Sequence, residues 1–256
     1  MKVIAILPAR MGATRFPGKP LHPILGIPLI GHCYFRTAIA LGVDATYVAT
    51  CDEEIADYVR SLGGMPIMTS TSHNRASDRT AEAMLRIEEF TGERVDIVVM
   101  VQGDEPLILP EDISRTLPHF DDPTVEIVNI MSRLRTREAF EDKNNVKVVV
   151  NQNGDALYFS REPIPSPWRG VDNIPMFMQT GVIAFRRDAL IRFNSTPEMP
   201  LEKIESVDMN RVLETEGKIR MVLTEVMTIG VDTSEEADEV ARILKDDIVF
   251  AQFPRQ

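Results

Sequence analysis

Arg10, Arg15 and Lys19 fall within ten residues of one another in the stretch Leu7-Pro8-Ala9-Arg10-Met11-Gly12-Ala13-Thr14-Arg15-Phe16-Pro17-Gly18-Lys19-Pro20. Gly12 and Gly18 permit backbone turns that point amides at an anion, and the three cations can neutralise a triphosphate at close range. The stretch directly follows an apolar run at 3–7, which places it at the carboxyl end of a first strand. It is neither the G-x-x-x-x-G-K-[ST] phosphate loop nor the G-x-G-x-x-G of dinucleotide binders. A solvated basic turn is the competing reading of these residues taken alone.

Two aspartates supply the opposite charge. Asp104 follows an apolar run at 96–101, and Asp232 follows another at 227–231. A parallel sheet could bring both carboxylates to one end. Oxygen ligands of this kind suit Mg²⁺, which takes one or two carboxylates together with phosphate oxygens and water. Asp104 also reads as a turn residue before Glu105-Pro106, and Asp232 as the N-cap of a last helix, with Glu235 at the capping-box position. His22, His32, His73 and His119 form no ligand spacing and receive no catalytic role. Cys33 and Cys51 likewise lack a metal spacing and read as free, reduced thiols.

The elements that must position these groups follow from hydrophobic periodicity. Short β-branched runs at 3–7, 45–49, 65–68 and 96–101 alternate with amphipathic stretches at 31–41, 53–62 and 80–90, the pattern of βαβ units with right-handed crossovers. Asp52 stands as N-cap and Gly63-Gly64 as terminator of the second helix. Loop 102–106 then leads to a helix from Glu111. The pattern changes beyond Val125: runs at 146–150 and 156–159 flank the polar turn 151–155 and read as a hairpin. A strand at 180–185, a helix at 202–214, a strand at 219–223 and a last helix at 234–244 close the chain. Pro165 and Pro167 make 163–168 an irregular loop.

With 256 residues, 44% hydrophobic and 26% charged, the chain is long enough for one globular α/β domain carrying an excursion, and is poorly suited to disorder or fibres. Its net charge of −11, from 28 basic and 39 acidic residues, argues against nucleic acid or an anionic membrane as a partner. The opening residues lack the pattern of a secretory signal, no apolar stretch approaches a bilayer span, and a cytoplasmic location is expected.

The basic loop, Val101-Gln102-Gly103-Asp104-Glu105-Pro106, Val146-Lys147-Val148-Val149, Ala156-Leu157-Tyr158-Phe159-Ser160-Arg161 and Gly230-Val231-Asp232-Thr233 together resemble the CMP-Kdo synthetase family (Kdo is 3-deoxy-manno-octulosonate), over nearly the whole chain. The resemblance implies a Rossmann-like, mainly parallel sheet with helices on both faces. It further implies a nucleotide-diphospho-sugar-transferase-like domain spanning 1–256, whose β-hairpin excursion at about 140–178 serves acceptor binding and dimerisation. CMP would pass from CTP to a small anionic acceptor, with release of pyrophosphate. Lys19, Arg10 and Arg15 would stabilise charge at the phosphates, and Asp104 and Asp232 would hold Mg²⁺. Pro8, Ala9, Gly12, Thr14, Ser77, Asp78, Arg79, Gln102 and Gly103 would complete the nucleotide site, with the Gln102 amide suited to a cytosine edge. A homodimer is expected, as in the family. The basic loop alone does not name the base, so a uridylyl- or adenylyltransferase and a non-catalytic nucleotide-binding module are the rival classes.

The chain departs from the family at its acceptor readers. The family's His-x-Gly-x-Tyr segment stands here as Gln179-Thr180-Gly181-Val182-Ile183. Met209 replaces a glutamine within Glu205-Ser206-Val207-Asp208-Met209-Asn210-Arg211. Ala76 replaces a glycine, and Arg75 adds a cation. Apolar Ile183 and Met209 cannot hydrogen-bond sugar hydroxyls. The expected acceptor is therefore a compact phosphonate such as phosphonoformate, met by Arg75, Lys147, Arg161, Gln179, Glu205 and Asp208. Kdo or an amino-Kdo variant for lipopolysaccharide is the alternative.

Overall fold

Strand β1 (Val3–Ala9) is buried at every residue, as a central strand covered on both faces must be. The computed structural model describes residues 1–12, 16–168, 170 and 174–253. The chain is a mixed α/β protein built on a largely parallel sheet flanked by helices. It divides into two compact units: residues 1–114 with 228–256, and residues 115–227.

In the first unit, β1 is followed by a 3₁₀ turn at Lys19–Leu21, a small ribbon of β2 (Pro23–Ile24) and β3 (Ile27–Pro28), and helix α1 (Leu29–Ala38). Strand β4 (Ala45–Thr50), helix α2 (Glu53–Ser61), strand β5 (Met65–Met68), helix α3 (Ala76–Thr91) and strand β6 (Ile97–Val101) complete the βαβ series. The strands lie in the order β6-β1-β4-β5, all parallel, with Ile4 opposite Ala45 and Val3 opposite Ile97. Helix α4 (Pro110–Thr116) follows.

The second unit holds β7 (Ile127–Arg133), α5 (Arg137–Glu141), β8 (Lys147–Val150), β9 (Ala156–Ser160), β10 (Phe177–Arg186), α6 (Arg187–Ser195), α7 (Pro200–Glu205), α8 (Met209–Glu214) and β11 (Arg220–Thr224). Here pairing is mixed: β11 runs parallel to β7, while β7–β10, β10–β8 and β8–β9 are antiparallel. The last helix, α9 (Ser234–Leu244), returns to the first unit. There Val240 and Leu244 pack with Ile24, Leu29, Leu107 and Val231 in one core cluster, which fixes the segment carrying Asp232 against the base of the basic loop.

Several boundaries differ from those expected. Helix α3 begins at Ala76 rather than near 80, because buried polar residues, Ser77 and Arg79, interrupt the apolar pattern of its first turn. The stretch expected as one helix at 202–214 is two helices, broken at Ser206, whose φ of 53° is left-handed. Strand β7 and helices α5 and α6 had no clear sequence signal. Cys33 and Cys51 are free thiols, and burial raises the pKa of Cys33. Among the described residues no helix is long and apolar enough to cross a membrane.

Candidate active site

The carboxyl ends of β1 and β6 and the segment before α9 meet around Lys19. Gly18, with φ of 73°, takes the left-handed conformation that starts the 3₁₀ turn holding Lys19. Gly103 lies against β1: a Cβ there would sit 3.0 Å from the Pro8 carbonyl oxygen and 2.9 Å from the end of Ile30, so a larger residue would push the Gln102–Asp104 loop away. The Val231 amide donates to the Asp104 carbonyl at 2.9 Å and ties the two acidic loops together. Lys19 Nζ consequently donates to Asp104 Oδ2 at 2.8 Å and to Asp232 Oδ1 at 2.9 Å. Burial alone would lower the lysine pKa. The charges and hydrogen bonds of Asp104 and Asp232 outweigh it, and the pKa is raised.

Two expected caps serve other ends. The N-cap of α9 is Thr233, one residue beyond Asp232, and its box partner is Glu236 rather than Glu235. Glu236 donates its backbone N–H to Thr233 Oγ1 at 3.3 Å, and its Oε2 accepts from the Thr233 amide at 2.9 Å and the Asp232 amide at 2.6 Å. Asp232 is thereby left with its carboxylate turned to Lys19. Asp52 occupies the N-cap position of α2 but makes no side-chain cap bond; its Oδ2 instead accepts from the Met11 amide at 2.8 Å and anchors the basic loop.

Beside Lys19 lies a cavity of about 270 Å³. It is lined by Pro8, Ala9 and Arg10 from the end of β1, by Lys19 and Pro20, by His73, Asn74, Arg75, Ala76 and Arg79 at the start of α3, and by Gln102, Gly103 and Asp104. Arg79 is 3% exposed, its Nη1 donates to Thr69 Oγ1 at 2.5 Å, and its Nη2 is buried without a partner. Ala76 is the first residue of α3, a helical position where alanine serves as well as the family's glycine. Ser77 is buried in α3 and Asp78 lies in its first turn, where a carboxylate favours the helix N-terminus; neither lines the cavity. Gly12 is exposed and also stands apart from the lining. Thr14 and Arg15 lie outside the described residues. Sequence reasoning did not anticipate His73, Asn74 or the Asp52 anchor; a histidine inside a polar loop carries no periodic signal.

Most of the expected acceptor residues belong to the second unit and are engaged within it. Lys147 is fully buried, donating through Nζ to the carbonyl oxygens of Asp142, at 2.8 Å, and Arg161; burial lowers its pKa. Arg161 donates to the carbonyls of Glu205 and Lys143, each at 2.8 Å. Glu205 accepts from the Ser160 hydroxyl at 2.8 Å, the Tyr158 hydroxyl at 3.1 Å and the Arg161 amide at 2.8 Å. Burial would raise its pKa, but these donors outweigh that effect and lower it. Gln179 Oε1 is buried without a partner, Asp208 is half-buried at the start of α8, and Ile183 and Met209 are core residues. Arg75 lies in the first unit, lining the cavity beside Lys19.

A parallel sheet that delivers Arg10, Lys19, Arg79 and two carboxylates to the end of its strands is the equipment of a nucleotidyltransferase, an enzyme that handles a nucleoside triphosphate. The model of the cytidylyltransferase family matches residues 4–219, and the chain belongs to that family. A 3-deoxy-manno-octulosonate cytidylyltransferase of Geobacter metallireducens is 41% identical over 255 residues, 95% of this chain and 98% of that protein. The solved structure of a CMP:2-keto-3-deoxy-manno-octonic acid synthetase complexed with CTP superposes with a TM-score of 0.88 at 36% identity, covering 96% of this chain and 99% of the other. A 4-diphosphocytidyl-2C-methyl-D-erythritol synthase of Anaerococcus prevotii shares the fold alone, at 13% identity and a TM-score of 0.65 over 95% and 96% of the two chains. The resemblance carried by the motifs therefore extends over the whole chain, and the protein is a CTP-dependent cytidylyltransferase.

Proposed function

We propose that this enzyme transfers CMP from CTP to Kdo, with Mg²⁺ as its metal. The observation that carries the acceptor is the full-length likeness to a relative named for that sugar acid, at 41% identity. The second unit supports it. The phosphonate expectation rested on Arg75 as a cation added beside Lys147 and Arg161 and on polar readers changed at 179, 183 and 209. Lys147 and Arg161 are instead engaged by backbone carbonyls, and positions 183 and 209 are core.

The residues present fit a divalent cation, because Asp104 and Asp232 already converge on one cationic atom, the Lys19 ammonium. Those two carboxylates would hold Mg²⁺, which when bound supplies positive charge to the phosphate oxygens. In the reaction a hydroxyl oxygen of the sugar acid gives up its proton to solvent and forms a bond to the α-phosphorus of CTP, and the bond from that phosphorus to the bridging oxygen breaks. Pyrophosphate leaves with the electron pair. Lys19 and Arg10 bind and orient the phosphates, and no covalent enzyme intermediate is required. The Gln102 amide, at the cavity wall, can donate to and accept from a cytosine edge.

Pyrophosphate release with CTP and Mg²⁺, measured in parallel with Kdo and with phosphonoformate, tests the acceptor. Turnover with Kdo and none with phosphonoformate is expected; the reverse pattern refutes the assignment.

A further inference from the structure

His73 lines the nucleotide cavity, yet neither the metal pair nor the phosphate cations account for it. Its side chain is 22% exposed, and its Nε2 pairs with Oε2 of Glu82, on α3. Glu82 holds more than the imidazole. It accepts from the Ser70 amide at 2.9 Å and from Arg86 Nε at 2.9 Å, so one carboxylate gathers donors from the loop and from its own helix.

Arg79 lies three residues before Glu82, on a neighbouring position of the same helix surface. Its Nη1 is spent on Thr69 Oγ1, and Thr69 is itself fixed by its amide to the Thr50 carbonyl at 2.8 Å. Segment 69–73 is thus stitched to α3 at four points: Arg79 Nη1 to Thr69 Oγ1 and to the Ser70 carbonyl, and the Ser70 amide and His73 to Glu82. The remaining nitrogen, Arg79 Nη2, is buried without a partner in a residue that lines the cavity. A buried guanidinium N–H without an acceptor is costly in the free protein and is relieved when a ligand oxygen arrives.

We propose that His73 is a positioning residue for CTP: clamped by Glu82, it holds the 69–75 loop so that Arg79 presents its free N–H to the nucleotide. Glu82 is an acceptor when ionised, so Nε2 of His73 carries the proton and donates. Removing the ring leaves Glu82 bound to Ser70 and Arg86 and releases the cavity-lining part of the loop. The nucleotide then meets an unfixed wall, and the loss falls on binding rather than on the chemical step.

The test has two parts: calorimetric titration of CTP into the whole protein without acceptor, whose outcome is independent of the Kdo assignment, and kcat from pyrophosphate release with whichever acceptor turns over. Four proteins are compared: wild type, His73→Ala, His73→Asn and His73→Gln. Glutamine can place an amide N–H where imidazole Nε2 stands, whereas asparagine is too short to reach Glu82. Alanine and asparagine are expected to weaken CTP binding about tenfold, with kcat at saturating CTP changed by less than about threefold. Glutamine should restore affinity to within about threefold of wild type. The partly exposed loop position lets the polar variants fold, and retention of the wild-type circular dichroism spectrum verifies it. Affinity unchanged in asparagine, or glutamine no better than asparagine, overturns the proposal. So does a fall in kcat with affinity intact.

Discussion

The two units hold similar charges but use them differently. Around Lys19, a cation meets two carboxylates, side chain to side chain, with 34% and 35% of the carboxylate side chains still exposed beside a cavity. Around Lys147, the cation meets backbone carbonyls and is sealed from solvent. A side-chain partner can rotate away when a phosphate or metal arrives. A backbone carbonyl cannot do so without moving the strand or loop that carries it. The first arrangement is built for exchange with a ligand, and the second for holding a fold.

Substitutions sharpen that contrast. The largest effect is expected from Lys19→Ala: kcat/KM for pyrophosphate release should fall by about 10³ or more, because a preorganised cation is lost from the phosphates. A fall of less than tenfold would put Lys19 outside the chemistry. Gly103→Ala adds a Cβ 3.0 Å from the Pro8 carbonyl, displaces the loop of Gln102 and Asp104, and should reduce kcat/KM on the order of tenfold, for a repacking cost of about 1–3 kcal/mol. Lys147→Met should act in the opposite sense on the two readouts. Leaving two part-buried carbonyls without their donor should lower urea-unfolding stability by about 1–3 kcal/mol, while CTP affinity in the folded protein stays within about twofold. If stability holds and CTP affinity collapses, the contrast between the units fails.

Smaller still is the acid response of Glu205. Its folded pKa is depressed, so its stabilisation is present above the unfolded value, near 4.5, and is lost as pH falls through the folded one. Glu205→Gln should therefore flatten the acid limb of a stability-against-pH curve below about pH 4.5 and leave its slope near neutrality unchanged. An unaltered acid limb would mean that the Ser160, Tyr158 and Arg161 donors do not hold the ionised form.

The first unit was largely legible in the sequence because parallel strands buried on both faces leave unbroken apolar runs. Met65–Met68 matches its expected bounds, and β1 and β4 are extended by two residues and one residue. The second unit was less legible because buried polar groups interrupt its patterns. Asn129 sits in the middle of β7 and donates to the Thr180 and Val182 carbonyls, at 3.0 and 2.8 Å, across a register shift in β10; a polar residue there hides the strand. The break at Ser206 has no glycine or proline to announce it. Its structural counterpart is the ion pair of Arg211 and Glu202, two contacts of 2.6 Å that join α7 to α8 and are visible only in three dimensions. The site followed the same division. Lys19 and Asp104 could be read from loops after strands; Asp232 follows an apolar run at 227–231 that was expected as a strand and is not one. Asp52 as anchor of the basic loop and His73 with Glu82 depend on hydrogen bonds between segments.

Phosphorus NMR of a single reaction, with CTP, Mg²⁺ and Kdo mixed with the enzyme, is the most direct measurement of the central claim. Transfer of CMP to the sugar acid predicts a new phosphodiester resonance that grows in step with free pyrophosphate as the CTP signals decay. CTP left intact with Kdo, alongside a new CMP adduct when phosphonoformate replaces it, would contradict that claim.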